Sequence, residues 1–177
     1  PISVKHLQRP SIEFPLGTDP QGRDILAVMV VGVPLTLKIG IFAAAFGTIL
    51  GTTLAFLAGY YSGLIDTIIR VTVDTLQTVP GLMILIVIAL AIGSGGLTVN
   101  QMALVVGLFA WVGPTRTIRS QVLTMRERTY VQIARLSGMS GIKIIFLELV
   151  PNIMPLIVAQ FVLGVAAGIL ASIGLEA

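Results

Sequence analysis

Four apolar blocks, each about twenty residues long, constrain this chain more than any other feature. They run over residues 39–61, 75–93, 97–115 and 153–175. At a rise of about 1.5 Å per residue, such a block covers the roughly 30 Å hydrocarbon core of a bilayer. Charged residues make up only 11% of the 177, against about 25% in a soluble domain. Mean hydropathy is +1.00. These values exclude a water-soluble globule and predict an all-α, polytopic helical membrane protein with four transmembrane helices visible.

Sidedness follows from the lysines and arginines, because short cytoplasmic loops carry the excess. Four crossings put Lys5, Arg9, Arg23 and Lys38 on one side, and Arg70, Arg116, Arg119, Arg126, Arg128, Arg135 and Lys143 on the other. The loop over residues 116–148 is therefore expected in the cytoplasm. The polar segment 1–24 and the turn Ser94-Gly95-Gly96 are expected outside. Both visible ends then face outward, an arrangement that one further helix at each end would turn into a six-span protein. The net charge of +3 reads as topology and not as nucleic-acid binding.

Ala43, Gly47, Gly51, Ala55, Gly59 and Gly63 recur at every fourth position of the first block, and Gly164, Gly168 and Ser172 do so in the last. Small residues let helix backbones approach closely in lipid. The ridges predict helix packing, within the chain or against a second subunit. Between residues 22 and 37 lies a mixed stretch that suits a separate interfacial helix. Asp66, Arg70 and Asp74 are spaced by four and predict an ion-pair ladder on one helix face. Asp74 and Gln77 near the second block, and Gln160 in the fourth, are candidates for a solute path or gate. Asn100 and Gln101 are further polar groups at a span. Each of these polar residues also has a plain alternative, an interfacial charge pair or an interhelical hydrogen bond. Pro80 predicts a kink in the second span.

The stretch from Thr124 to Asn152 is patterned unlike a flexible connector. Thr129 and Gln132 have the spacing of a capping box, which predicts a short helix to about Leu136. Gly138 supplies the left-handed residue that ends it. Ser140 is placed to cap a second helix with Ile142, Ile145, Phe146 and Leu149 on one apolar side, and Pro151 to break or kink the chain before the last span. Two short helices joined at a glycine on the cytoplasmic face form a shape suited to a partner's grip. No enzyme site accompanies it. Cysteine is absent and His6 is the single histidine. Lys5, Lys38 and Lys143 are not preceded by glycine, as the lysine of a phosphate-binding P-loop is.

Several runs resemble the permease subunits of binding-protein-dependent ABC transporters. Their cytoplasmic loop carries Glu-Ala-Ala, then Gly, then an Ile-x-Leu-Pro tail. Here the matching residues are Gln132-Ile133-Ala134, Gly138 and Glu148-Leu149-Val150-Pro151, with Gln, Ile and Val as departures. The run from Leu16 to Asp24 (LGTDPQGRD) and that from Ala58 to Asp66 (AGYYSGLID) resemble the oligopeptide, dipeptide and nickel type, second-permease form. The resemblance implies a permease domain over residues 25–177, incomplete at both ends, with four of six spans. It places Tyr130, Gln132, Ile133, Ala134, Arg135, Gly138 and Pro151 in the loop that couples to an ATPase. Arg126, Arg128 and Arg135 are candidates to pair with acidic groups on that ATPase, or else are the solvated charge of a positive-inside loop. It implies an inner-membrane location, a homologous second permease, two cytoplasmic ATPase subunits and an external solute-binding protein. It also implies no cofactor on this chain, with ATP and Mg held by the ATPases. The alternative from the residues alone is a secondary carrier or channel working without ATP.

Overall fold

The computed structural model describes residues 7–92 and 98–176. The turn expected at Ser94-Gly95-Gly96, and His6, lie outside the described residues. The chain divides into two compact units, Pro1–Lys38 and Ile39–Ala177.

In the first unit, the Asp19 side chain organises a tight loop. Its Oδ1 accepts the backbone N–H groups of Gln21 at 2.9 Å and Arg23 at 2.8 Å, and its Oδ2 pairs with Arg23 at 2.7 Å. Gly17 and Gly22 flank it, both at φ +79°. Asp24 then accepts the N–H of Leu26 at 3.0 Å as helix α1 begins.

Helix α1 runs over Ile25–Phe56 and continues as a π-helical turn, Leu57–Tyr61. The separate interfacial helix expected before residue 38 is instead part of α1. Pro34 lies inside it without ending it. Among apolar surroundings the backbone stays helical, because any unpaired N–H or C=O there is costly.

Helix α2 covers Gly63–Thr78, and α3 covers Gly81–Ile92. The kink expected at Pro80 is a full interruption. Val79 is extended at φ −93°, ψ 131°, the region into which a following proline pushes its predecessor. The expected second span is thus two helices. The expected third span also differs. Helix α4 covers Val99–Ala110, and after Trp111 helix α5 runs over Val112–Met125, ten residues past the expected end. At the start of α4, Thr98 and Gln101 form a reciprocal capping box, which gives Gln101 a structural role.

Helix α6 is Thr129–Leu136 and α7 is Gly141–Ile144. A second π-helical turn, Ile145–Leu149, leads into α8, Val150–Glu176. The break expected at Pro151 does not occur. Pro151 stands where the π-helical turn passes into α8, inside a continuous helical stretch, and Asn152 Nδ2 donates to the Glu148 carbonyl at 2.6 Å just beside it. Among the described residues, two continuous helical stretches are long and apolar enough to cross a membrane, Ile25–Tyr61 and Gly141–Gly174.

The small-residue ridge of α1 forms the seam of the second unit. Ala43, Gly47, Gly51 and Ala55 are buried. A Cβ on Gly47 would lie 2.5 Å from Ala110 Cβ, and one on Gly51 would lie 2.7 Å from the Trp111 carbonyl oxygen. On α8, a Cβ on Gly168 would lie 3.0 Å from Gly40 Cα, and one on Gly164 would lie 3.2 Å from Ala44 Cβ. Gly63 is not part of the ridge. It has φ +67° and open space around it, and it turns the chain into α2.

Candidate functional site

The patterned loop folds as a compact bracket against the core of the second unit. Helix α6 has eight residues, too few to be stable alone. Packing holds it. Val131 is fully buried and Ala134 nearly so, in a cluster with Ile118 and Val122 of α5, Ile144 of α7, and Leu149 and Ile153 beyond it. The helix ends in a Schellman motif. Gly138, at φ +78°, donates to the Arg135 carbonyl at 3.0 Å, and Met139 donates to the Ala134 carbonyl at 3.1 Å. Met139 packs on the same cluster as Ala134, the apolar contact that accompanies this cap.

The helix start differs from the expectation. Arg128, not Thr129, occupies the N-cap, and no side chain caps it. The Arg128 N–H donates to the Met125 carbonyl at 3.0 Å, a tight turn that starts the helix at Thr129 and takes its hydroxyl out of register for the box. Gln132 Nε2 instead donates to the Glu127 carbonyl at 3.2 Å. Ser140 does stand at the N-cap of α7, with no side-chain capping bond.

The opposite face of α6 is open. Ile133 is 58% exposed and Leu136 88% exposed. Gln132 and Arg135 are exposed beside them, while Tyr130 is half-buried. Past the glycine turn, Ile142 and Phe146 are also exposed. Apolar side chains thus flank a basic residue on a rigid, outward-facing surface.

Arg126 and Arg135 do not simply face outward. Arg126 Nη1 donates to the Gly59 carbonyl at 3.1 Å and to the Ser62 hydroxyl, and its Nε pairs with Glu127 at 2.9 Å. The Arg135 guanidinium lies 5.0 Å from the centre of the Tyr60 ring. Sequence reasoning did not single out Tyr60 or Ser62. The signal present was the Gly59-Tyr60-Tyr61-Ser62-Gly63 run, which joins an apolar helix to an amphipathic one.

The expected ladder on α2 is rearranged. Asp66 pairs with Arg119 of α5 through two hydrogen bonds, the second at 2.7 Å. Arg119, a guanidinium on a neighbouring helix, offers a planar bidentate fit that Arg70 one turn away does not. The Arg119 hydrogen bonds hold the Asp66 carboxyl below its ordinary value, against the opposing effect of burial. Gln77 accepts a hydrogen bond from Arg116. Asp74, Arg70, Arg116, Arg119 and Thr115 line a cavity of about 190 Å³ between α2 and α5. Asp74 thus lines the cavity and Gln77 reaches it only through its bond to Arg116, whereas Gln160, half-buried on α8, is not among the lining residues. Among the described residues no three His, Cys, Asp or Glu side chains come together as metal ligands would.

The profile of the family described as "Binding-protein-dependent transport system inner membrane component" matches residues 47–177, which include the α1 seam, the loop and α8. Dipeptide transport system permease protein DppC of Alkalihalophilus pseudofirmus is 36% identical over 164 residues, 93% of this chain and 53% of that protein. Dipeptide transport system permease protein DppC of Lactococcus lactis subsp. cremoris is 31% identical over 158 residues, 89% of this chain and 45% of that protein. Glutathione transport system permease protein GsiD of Pectobacterium atrosepticum is 33% identical over 167 residues, 94% of this chain and 54% of that protein. The chain spans about half the length of these curated relatives. With the match covering most of its residues, the chain belongs to the family of binding-protein-dependent transport system inner membrane components.

Proposed function

We propose that this chain is membrane-embedded sequence of a permease subunit in an ATP-driven peptide importer of the inner membrane. Its α6–α7 loop receives the work of a cytoplasmic ATPase. The relatives' names, which speak of dipeptide, glutathione and oligopeptide transport, support peptides as the solute class. In this reading four of six spans are present, α3 and α4 crossing together with their flanking segments. Residues 116–148 are cytoplasmic. A homologous second permease completes the path, an external binding protein delivers the solute, and two ATPase subunits hold ATP and Mg. The chain itself is not catalytic.

One observation carries the assignment of the loop. The two sides of α6 are split between a buried anchor, Val131 and Ala134, and an exposed apolar face, Ile133 and Leu136. A force on the outer face passes directly into the α5–α8 core, because a well-packed interior transmits displacement. The test is co-purification of the complete permease with its ATPase. Leu136→Asp combined with Ile133→Asp puts charge on the exposed face without touching the anchor. The ATPase is expected to be lost while the permease elutes unchanged. Full retention of the ATPase by this variant contradicts the docking role.

A further inference from the structure

The bracket is fastened at a second place, which the family relationship does not assign. Residues 59–62 form the corner between α1 and α2. The chain reverses there through Ser62 at φ +58°, ψ −160° and Gly63 at φ +67°. A serine at positive φ persists only where its surroundings hold it. Three separate parts of the bracket converge on this corner. Arg126, at the end of α5, donates to the Gly59 carbonyl and the Ser62 hydroxyl. Arg135, on α6, stacks over Tyr60. Gly141, at the start of α7, lies against the same ring, where a Cβ would fall 2.9 Å from Tyr60 Cε1. The corner is also pressed onto α5, since a Cβ on Gly59 would lie 2.7 Å from Val122 Cγ1.

We propose that Arg126 and Tyr60 are positioning residues that clamp the α6–α7 bracket to the α1–α2 corner, so that α6 and α2 move as one body. The carbonyls at a helix end lack intrahelical partners, and a guanidinium satisfies them while matching the end's partial negative charge. The Tyr60 face supplies a cation–π contact to a different element at the same corner. A displacement of α6 therefore reaches α2 without passing through α8. Helix α2 carries Asp66 and Gln77, whose bonds to Arg119 and Arg116 tie it to α5 along its length. This inference rests on the reading of α6 as the ATPase contact only for the source of the motion, since the clamp's contacts are all made within this chain.

These 177 residues contain no cysteine, so labels are placed singly in them once any cysteines elsewhere in the transporter are replaced. Spin labels on Ser137→Cys at the C-cap of α6 and Thr67→Cys of α2, both exposed, report the distance between the two elements in the complete transporter. The separation is expected to stay within about 2 Å, the scale of small helix shifts, between the nucleotide-free and the ATP-trapped states. In Arg126→Ala the distribution is expected to broaden even without nucleotide, and solute moved per ATP to fall at least about fivefold. Tyr60→Phe, which keeps the ring, should behave as the native protein, and Tyr60→Leu should behave as Arg126→Ala. A label separation that changes with nucleotide in the native protein, or an unbroadened distribution in Arg126→Ala, overturns the clamp. If no ATPase co-purifies with the native permease, the proposed function fails instead, and the nucleotide-free distributions still decide the clamp.

Discussion

Replacing Gly47 with alanine adds one methyl group, and the structure sets where that methyl goes. It would lie 2.5 Å from Ala110 Cβ, 2.6 Å from the Ala110 carbonyl carbon and 2.7 Å from its oxygen. Ordinary van der Waals contact begins near 3.4 Å, so α1 and α4 must separate by about 0.9 Å. Two of the three atoms are backbone and cannot rotate away. Forcing such a methyl into a packed seam costs about 1–3 kcal/mol. Glycine to alanine in a helix returns about 1 kcal/mol through backbone entropy and propensity. The net expectation is a loss of up to about 2 kcal/mol. Gly107 of α4 is the internal control. Its Cβ would meet Phe46 Cδ1 at 3.6 Å and Ala43 Cα at 3.8 Å, which is ordinary contact. Gly107→Ala should therefore keep the propensity gain and hold or raise stability. The assay is thermal unfolding of the complete permease in detergent, followed by the fraction remaining monodisperse. Equal midpoints for the two variants would refute the reasoning, because they differ only in whether the seam has room.

Two further outcomes follow from the loop and the α2–α5 contact. Gly138→Val meets open space but places a β-branched residue at φ +78°, so it should cost about 1–2 kcal/mol through backbone strain alone and depress ATP-driven uptake more than folding. Uptake and ATP hydrolysis measured together check it, and normal values of both would remove Gly138 from the coupling element. Asp66→Asn should lower the unfolding midpoint at pH 7 by an amount equivalent to about 1 kcal/mol, the upper end of the exposed range, because this pair is half-buried. The Asp66 carboxyl is held below its ordinary value of 3.8, so the folded state favours the charged form. Its contribution is complete above that value and is lost as pH falls below it, through the lower folded value. Native and variant midpoints should therefore converge on acidification below about pH 4, and a constant gap down to pH 3 would show that the ion pair is not the cause.

The parts of this structure legible in the sequence are those written in local spacing. The four-residue ridge from Ala43 to Ala55 marked the seam of α1 because helical period fixes which residues share a face. Gly138 marked the end of α6 because the left-handed position it fills is costly for any other residue. What escaped were contacts between residues far apart in the chain. Asp66 finds Arg119, 53 positions away, although Arg70 stands at the favoured local spacing. The corner contacts of Arg126 cross 64 and 67 positions. The missed capping box shows a finer limit. A shift of one residue in where α6 begins was enough to disengage Thr129, while the same spacing at Thr98 and Gln101 is a formed box. Helix ends are fixed by such single-residue registers, which tertiary packing sets. Pro34, Pro80 and Pro151 make the same point, since one passes within a helix, one interrupts it and one stands where a π-helical turn passes into an α-helix. Their effect depends on what surrounds the freed carbonyl, which spacing does not contain.

The central claim is that a cytoplasmic ATPase delivers its work to the exposed face of α6. A photoactivatable cross-linker at Leu136, the most exposed large apolar side chain on that helix, tests it most directly in the complete transporter in intact membranes. The account predicts a covalent adduct with the ATPase subunit, and no reaction of a cysteine at this position with a membrane-impermeant reagent added from outside. Labelling of that cysteine from the external side, with no ATPase adduct, would contradict it.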